Sequence, residues 1–347
     1  MVAYNDLVKE EQIISSRGED QEEEFLDRTL RPKKLCDYIG QEKVKNSLKV
    51  CIEAAKIRKE PLEHILIFGP PGLGKTTLAF VLAAEVGSNI KITSGPAIER
   101  PGDLVSILTN LEDSDILFID EIHRLNKIVE EVLYPAMEDF AVDLVIGKGP
   151  SAKILRVDLP RFTLIGATTR ASLISSPMRD RFGIVHPLDF YQDEEISRII
   201  SRSSKLMKIN SDSRGLNEIA KRSRKTPRIA NRLLRRVRDF ATVYNKDILD
   251  EELAISSLNE IGVDERGFDE TDRKILKVLI DKFNGGPVGV ETLSAATSVD
   301  RKTIEDIVEP YLMQTGFIKR TPKGRVAMEA AWEYFGKSGG VNHTKSK

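Results

Sequence analysis

Short apolar runs alternate with amphipathic stretches along the first half of the chain. His64-Ile-Leu-Ile-Phe68, Asp115 to Asp120 and Arg161 to Ala167 each read as a buried strand, because their apolar residues run on without the alternation of a half-exposed one. A glycine-rich loop follows the first run, and Lys75 to about Val86 has helical periodicity. Buried strands separated by helical segments predict a parallel, doubly wound α/β sheet. Val142 to Val157 departs from this pattern. It alternates apolar and polar residues around Gly147-Lys-Gly-Pro150 and predicts a β-hairpin with Leu155 and Val157 on one face.

After about Asp193 the pattern is helical only. From Arg198 to Arg238, fourteen Lys/Arg stand against two Asp/Glu. That bias reads either as solvated helix faces or as attraction for an anionic partner or an acidic neighbouring subunit. From about Glu265 the texture shifts again. Asp269 to Phe283 predicts an amphipathic helix closed by Gly285-Gly286-Pro287, Val290 to Ala296 a short helix, and Asp300 to Thr315 a longer one entered through Ser298 as its cap. Gly316 to Ala327 predicts two short strands about a Pro-Lys-Gly turn. Helix, helix, helix, hairpin is the order of a winged helix.

Composition adds bounds. A chain of 347 residues has room for two or three domains. The net charge of −1 leaves nucleic acid to be argued from local charge. Two cysteines, Cys36 and Cys51, without metal-ligand spacing point to neither a disulfide framework nor structural zinc, and fit a reducing cytosol. No apolar run is long enough to span a bilayer, and the N-terminus carries acids where a signal peptide needs a basic region. The expectation is a cytoplasmic protein with no membrane association. Residues 1–26 read as a mobile acidic leader and 337–347 as a flexible tail.

Gly69-Pro-Pro-Gly-Leu-Gly-Lys-Thr76 fits the phosphate-binding P-loop and sits where that chemistry needs it, between a strand and a helix. Its glycines, Gly72 and Gly74 among them, let backbone N–H groups turn toward phosphates, and the helix N-terminus adds its dipole. Lys75, expected to stand exposed in the loop, supplies a charge to the β/γ-phosphates of ATP; Thr76, followed by Thr77, offers a hydroxyl to Mg²⁺. In Ile116-Leu-Phe-Ile-Asp-Glu-Ile-His123, four apolar residues end in paired acids. Asp120 at the strand tip is placed to hold Mg²⁺, directly or through water, and Glu121 to polarise the attacking water; that last role points to a hydrolase rather than a passive nucleotide binder. Standing alone, the acid pair would read as a helix N-cap.

These motifs resemble the AAA+ ATPases, and the likeness implies further roles. Thr169 in Ile165-Gly-Ala-Thr-Thr-Arg170 stands where the family usually has an Asn that senses the γ-phosphate. Met178-Arg-Asp-Arg-Phe-Gly183 carries the arginine that reaches a neighbour's ATP. Arg181 is favoured over Arg179 because it directly precedes the Phe-Gly turn, which leaves a helix-end salt bridge to Arg179. Arg228, at the start of the helix opened by Thr226-Pro-Arg, takes the place of a second sensor; the plain reading is a surface arginine.

A longer ensemble is more specific. Leu30-Arg-Pro, Asp37-Tyr-Ile-Gly-Gln41, the P-loop, Leu117 to Arg124, Glu130 to Asp139, Gly166 to Arg170 and Thr226 to Asp239 follow in order. Together they resemble the RuvB family of Holliday-junction branch-migration motors over about residues 25–335. The resemblance implies that Leu30 and Arg31 pack beside adenine and ribose. It places Glu138, Asp139 and Phe140 at the nucleotide's edge or across the subunit boundary, and has Tyr191 close the pocket near the lid. It also implies a homohexameric ring on double-stranded DNA, a RuvA-type junction-binding partner for the Leu155/Val157 hairpin, and a RuvC-type resolvase as a further partner. Without it, Glu138 and Asp139 read as helix-surface acids and the hairpin as packed on its own domain. The expected division is a large ATPase domain over 27–191, a helical lid over 192–262 and a winged-helix head over 263–336.

In the head, Arg301 opens the third helix, and Lys319, Arg320, Lys323 and Arg325 cluster in the wing. From Phe317 to the end there are seven Lys/Arg and two Asp/Glu. The third helix carries Glu305, Asp306 and Glu309, which would repel DNA from a helix lying in a major groove. Arg301, Arg320 and Arg325 are therefore expected as free, sequence-independent phosphate contacts and not as structural supports. Two other readings stay open: a winged-helix transcription regulator governed by an ATPase switch, and a clamp-loader-like remodeller.

Overall fold

The computed structural model describes residues 29–146 and 153–337. The acidic leader, most of the tail and the Gly147–Pro150 turn lie outside the described residues.

Helix α1 (Glu42–Arg58) leads into β1 (Ile65–Phe68), the glycine loop and α2 (Lys75–Val86). Then come β2 (Ile90–Ser94), α3 (Pro101–Thr109), β3 (Ile116–Asp120) and α4 (Lys127–Glu138). The antiparallel pair β4 (Ala141–Ile146) and β5 (Lys153–Asp158) follows, then β6 (Thr163–Thr168), α5 (Ser176–Arg179) and β7 (Ile184–Pro187). The main sheet is parallel in the order β2-β3-β6-β1-β7. Successive side chains of a strand point to opposite faces, and the apolar runs feed two cores accordingly. Ile65, Ile67 and Phe118 pack with Leu48, Leu78 and Leu82 on one face; Leu66, Leu117 and Ile119 pack with Leu104, Val129 and Leu133 on the other.

The two strands without a long apolar run, β2 and β7, were not expected. They hold the two edges of the sheet, where burial is partial and Lys91, Thr93 and His186 are tolerated. The hairpin forms in the expected register, with Leu155 opposite Leu144 and Val157 opposite Val142. Leu155 is exposed, whereas Val157 is half-buried against its own domain's core.

The lid comprises α6 (Asp193–Leu206), α7 (Ser213–Lys221), α8 (Pro227–Val243) and α9 (Glu251–Glu260). Its basic bias has a use neither expectation foresaw. Arg202 donates to the carbonyls of Leu30 (2.6 Å) and Arg31 (3.3 Å). Arg222 donates to Asn259 and to the Val263 carbonyl, and Arg224 to the Gly267 carbonyl and Asp269. Arg222 and Arg224 are buried, so these guanidiniums act as multidentate fasteners for backbone and chain crossings.

The head comprises α10 (Glu270–Asp281), α11 (Val290–Thr297), a third helix α12, β8 (Ile318–Thr321), β9 (Gly324–Ala327) and α13 (Glu329–Tyr334). Helix α12 runs as Arg301–Thr303, a π-helical turn Ile304–Val308, and Glu309–Gln314. Phe268, Leu276, Leu293, Ile304, Leu312 and Phe317 form its core. The expected cap is corrected here. Ser298, at φ 56°, ends α11 in a left-handed conformation, and the Asp300 carboxylate caps α12 by accepting from Lys302 N (2.8 Å) and Thr303 N (3.3 Å).

Candidate active site

Because β6 lies between β1 and β3, three strand ends open side by side. The P-loop leaves β1, Asp120 ends β3, and Thr169 follows β6. The lid adds the start of α8, where Pro227 sits in the first turn and needs no N–H partner. The Arg228 N–H points at the Gly72 carbonyl (3.4 Å). The result is a cleft of about 310 Å³. Leu30, Arg31, Gly72, Gly74, Lys75, Thr76, Thr77, Asp120, Glu121, Thr169, Tyr191 and Arg228 all line it.

Gly74 has φ 95° and begins α2; a Cβ there would meet the Tyr38 hydroxyl at 2.9 Å. Gly72 has φ 80°, and its missing Cβ leaves the room into which Arg228 packs. Both positions need glycine for conformation and for close approach.

Lys75 is not exposed in the loop, as expected, but buried at the first position of α2. Its ammonium donates to the carbonyls of Gly69 (2.8 Å) and Pro70 (2.9 Å). Burial brings its pKa down to about 8, with Asp120 pulling it up and Arg228 pushing it further down. A cation so weakly stabilised, beside turned-in backbone N–H groups, fits an anionic phosphate.

Asp120 Oδ1 accepts from Glu121 N (2.8 Å). Glu121 has φ 47°, a strained conformation for a residue with a side chain, and its carboxylate pairs with Arg124 (2.8 Å). Thr168 hydrogen-bonds His123 Nδ1 (2.8 Å), which ties the end of β6 to the turn after β3. Tyr191 is buried, with its hydroxyl on the Leu73 carbonyl (3.1 Å) and on Tyr38 (3.2 Å); burial pushes its pKa up to about 12.

The other expected site residues do not join the cleft. Arg181 lies outside it, over the Tyr134 ring (4.3 Å), donating to the Pro177 carbonyl (2.6 Å) and pairing with Glu138 (3.2 Å). The salt bridge assigned to Arg179 therefore falls on Arg181, while Arg179 donates to the Ala171 carbonyl (2.7 Å). Asp139 pairs with Arg156 (2.9 Å), and Phe140 packs edge-on against Phe162. Of the two places open to Glu138, Asp139 and Phe140, the edge of this chain's own cleft is corrected: none of them lines it.

In the head, Arg320 is exposed and Arg301 is exposed but paired with Glu291 and Glu305. Arg325 contradicts the expectation of a free phosphate contact. It is buried, gripped by both carboxylate oxygens of Glu309 with Glu305 3.4 Å away, and its backbone pairs with Val288. It is a structural support.

Tyr38, Arg202, Ser203 and Asn231, to which no sequence motif gives a role, also line the cleft. Tyr38 lies within a quoted motif, so it carried a signal; Arg202 carried none beyond the lid's charge bias.

Fold and site together define a P-loop nucleotide hydrolase with a helical lid and a winged-helix head. Models of three consecutive domains match the chain: the Holliday junction DNA helicase RuvB P-loop domain over residues 30–188, the RuvB AAA lid domain over 191–264 and the RuvB C-terminal winged helix domain over 265–336. The Holliday junction branch migration complex subunit RuvB of Clostridium kluyveri is 59% identical over 325 residues, 94% of this chain and 92% of that one. The Thermotoga maritima RuvB Holliday junction branch migration motor superposes with TM-score 0.82 at 48% identity, covering 89% of this chain and 99% of that one. A variant of the same Thermotoga protein gives 0.83 at 48% identity, with the same coverage. The chain belongs to the RuvB family of ATP-dependent branch-migration motors.

Proposed function

We propose that this chain hydrolyses ATP in the cleft between core and lid, and uses the cycle to draw duplex arms of a Holliday junction through a homohexameric ring. The observation that carries this reading is convergence. The P-loop, the acid pair of β3, Thr169 and Arg228 meet in one cleft from core and lid, so nucleotide state and lid angle are mechanically linked.

Lys75 and the P-loop N–H groups bind the β/γ-phosphates, Leu30 and Arg31 the adenine and ribose side, and Tyr191 closes the pocket near the lid. Thr76 and Asp120 are the residues that would hold Mg²⁺, which would screen the phosphate charge. Glu121 swings from Arg124, orients the attacking water and takes up its proton. The exposed ion pair is worth roughly 1 kcal/mol or less, so the swing is cheap. Thr169 and Arg228 sense the γ-phosphate. Arg181, paired with Glu138, serves a neighbour's site together with Asp139 and Phe140, in keeping with their lying outside this chain's own cleft.

The domains divide at about 27–191, 192–262 and 263–336. Arg301 and Arg320 of the head contact phosphates, and Arg325 holds the wing. The exposed Leu155, next to Val157, docks a RuvA-type partner, with a RuvC-type resolvase as a further associate, in the cytoplasm.

The test separates two acids. Glu121→Gln binds ATP as wild type does and turns it over at least tenfold more slowly, whereas Asp120→Asn loses Mg²⁺-dependent affinity. Equal binding defects in both variants would contradict the separate roles.

A further inference from the structure

Thr169, the residue that follows β6, lines the cleft. The next residue, Arg170, leaves the ATPase core and reaches α12 of the head. Its Nε and Nη2 both donate to Asp306 Oδ1 (3.0 and 2.6 Å), and Nη2 also meets Glu305 Oε2 (3.4 Å). The backbone at its root is fixed: Arg170 N donates to the Thr168 hydroxyl (2.9 Å), which is bonded to His123 in the turn after Glu121. A side chain anchored on the head is thus attached to a backbone tied to both the γ-phosphate side and the water-activating side of the cleft.

The two carboxylates sit in the π-helical turn of α12. Such turns are uncommon and concentrate where function demands them. Glu305 is nearly buried and serves three guanidiniums: Arg170, Arg301 (3.5 Å) and Arg325 (3.4 Å). Arg325 is immobile. Arg301 is half-exposed at the start of α12 and is the cation a phosphate could take. The acids that read from sequence as DNA repellents are therefore neutralised, two of them (Glu305 and Asp306) with the help of an arginine from another domain.

We infer that Arg170 is a positioning residue which, through Asp306 and Glu305, couples duplex DNA on the head to the rate of ATP hydrolysis in the cleft. The inference rests on the proposed reading that the head binds duplex phosphates and that Thr169 faces the γ-phosphate. When a phosphate claims Arg301, Glu305 loses one cation and attracts Arg170 more strongly. The pull acts on the backbone at Thr169.

The experiment uses the full chain and compares steady-state ATP turnover with and without a long duplex of random sequence, alongside duplex affinity and melting temperature. Asp306→Asn removes the charge while keeping shape, on a residue that touches neither nucleotide nor DNA in this account. The expected result is DNA-free kcat, KM for ATP and duplex Kd all within about twofold of wild type. The increment in kcat produced by duplex falls to about a fifth, a change of roughly 1 kcal/mol in free-energy terms. Arg170→Asp should lose the increment likewise, and combining it with Asp306→Arg should restore at least half. A full increment in Asp306→Asn overturns the inference. So does a loss that tracks a fall in DNA-free kcat, duplex affinity or melting temperature, since that is plain structural damage. Failure of the charge exchange to rescue removes the pairwise link. A wild-type chain with no increment overturns the inference and the DNA reading together, and so is distinct from failure of the coupling alone.

Discussion

The nucleotide cleft and the DNA-facing head both entered the account as clusters of charged residues, and they fare differently. In the cleft, Gly72, Gly74, Lys75, Thr76, Asp120, Glu121, Thr169 and Arg228 converge on one cavity. In the head, three arginines have three fates: Arg320 stands in solvent, Arg301 is exposed but paired, and Arg325 is buried in a carboxylate clamp. A phosphate cradle is built from backbone at fixed spacing, so the motif carries its own geometry. An arginine count carries none, because a guanidinium can be consumed by any carboxylate or carbonyl the fold brings near.

The largest expected effect lies outside the cleft. Arg181→Ala should cost about 10³-fold or more in turnover, the range for a trans-acting arginine, with ATP affinity little changed. Mixing these subunits with Lys75→Ala subunits should recover some turnover, because mixed rings contain intact composite sites. No recovery in confirmed mixed rings would count against a site shared between subunits.

Next comes the contrast within the head. Arg325→Ala leaves Glu309 buried without a partner and should destabilise the head by about 3 kcal/mol or more, visible as a lowered melting temperature. Arg320→Ala should leave that temperature unchanged and lower the slope of log affinity against log salt by about 0.9, whatever the duplex sequence. A sequence-dependent loss with an unchanged slope would make Arg320 a base reader.

A smaller effect sharpens the reading of Lys75. Burial holds its pKa at about 8, below the ordinary lysine value, and bound phosphates must raise it again. Binding therefore takes up a proton above that pH. The contribution of Lys75 to affinity for a non-hydrolysable ATP analogue should be full up to about pH 7, near half at about pH 8, and weaken by up to about tenfold per pH unit above that. Lys75→Arg should remove this decline. An unchanged decline in that variant would assign the titration elsewhere.

Much of the architecture was legible. The three apolar runs are the three central strands, α2 begins at Lys75, and the helix–hairpin order of the head holds. What escaped was decided by distant partners or by edges. Strands β2 and β7 lack apolar runs because an edge does not require them. Tyr38 meets Tyr191 across 153 positions, and Arg202 holds the Leu30 carbonyl across 172. Nothing local announces such contacts. The cap of α12 could have been read correctly, since Asp300 stands directly before the first helical residue, where a carboxylate reaches two N–H groups. Arg325 could not, because its clamp depends on how the wing folds against α12.

The central claim is that turnover in the cleft moves DNA held by the head. Its most direct test is conversion of a synthetic four-way junction to duplex products by the full chain with a RuvA-type junction-binding protein, comparing wild type with Glu121→Gln. Wild type should convert the junction in an ATP-dependent way, and Glu121→Gln, which still binds ATP and the junction, should not. Conversion by Glu121→Gln at the wild-type rate, or brisk ATP turnover by wild type with no strand movement, would contradict it.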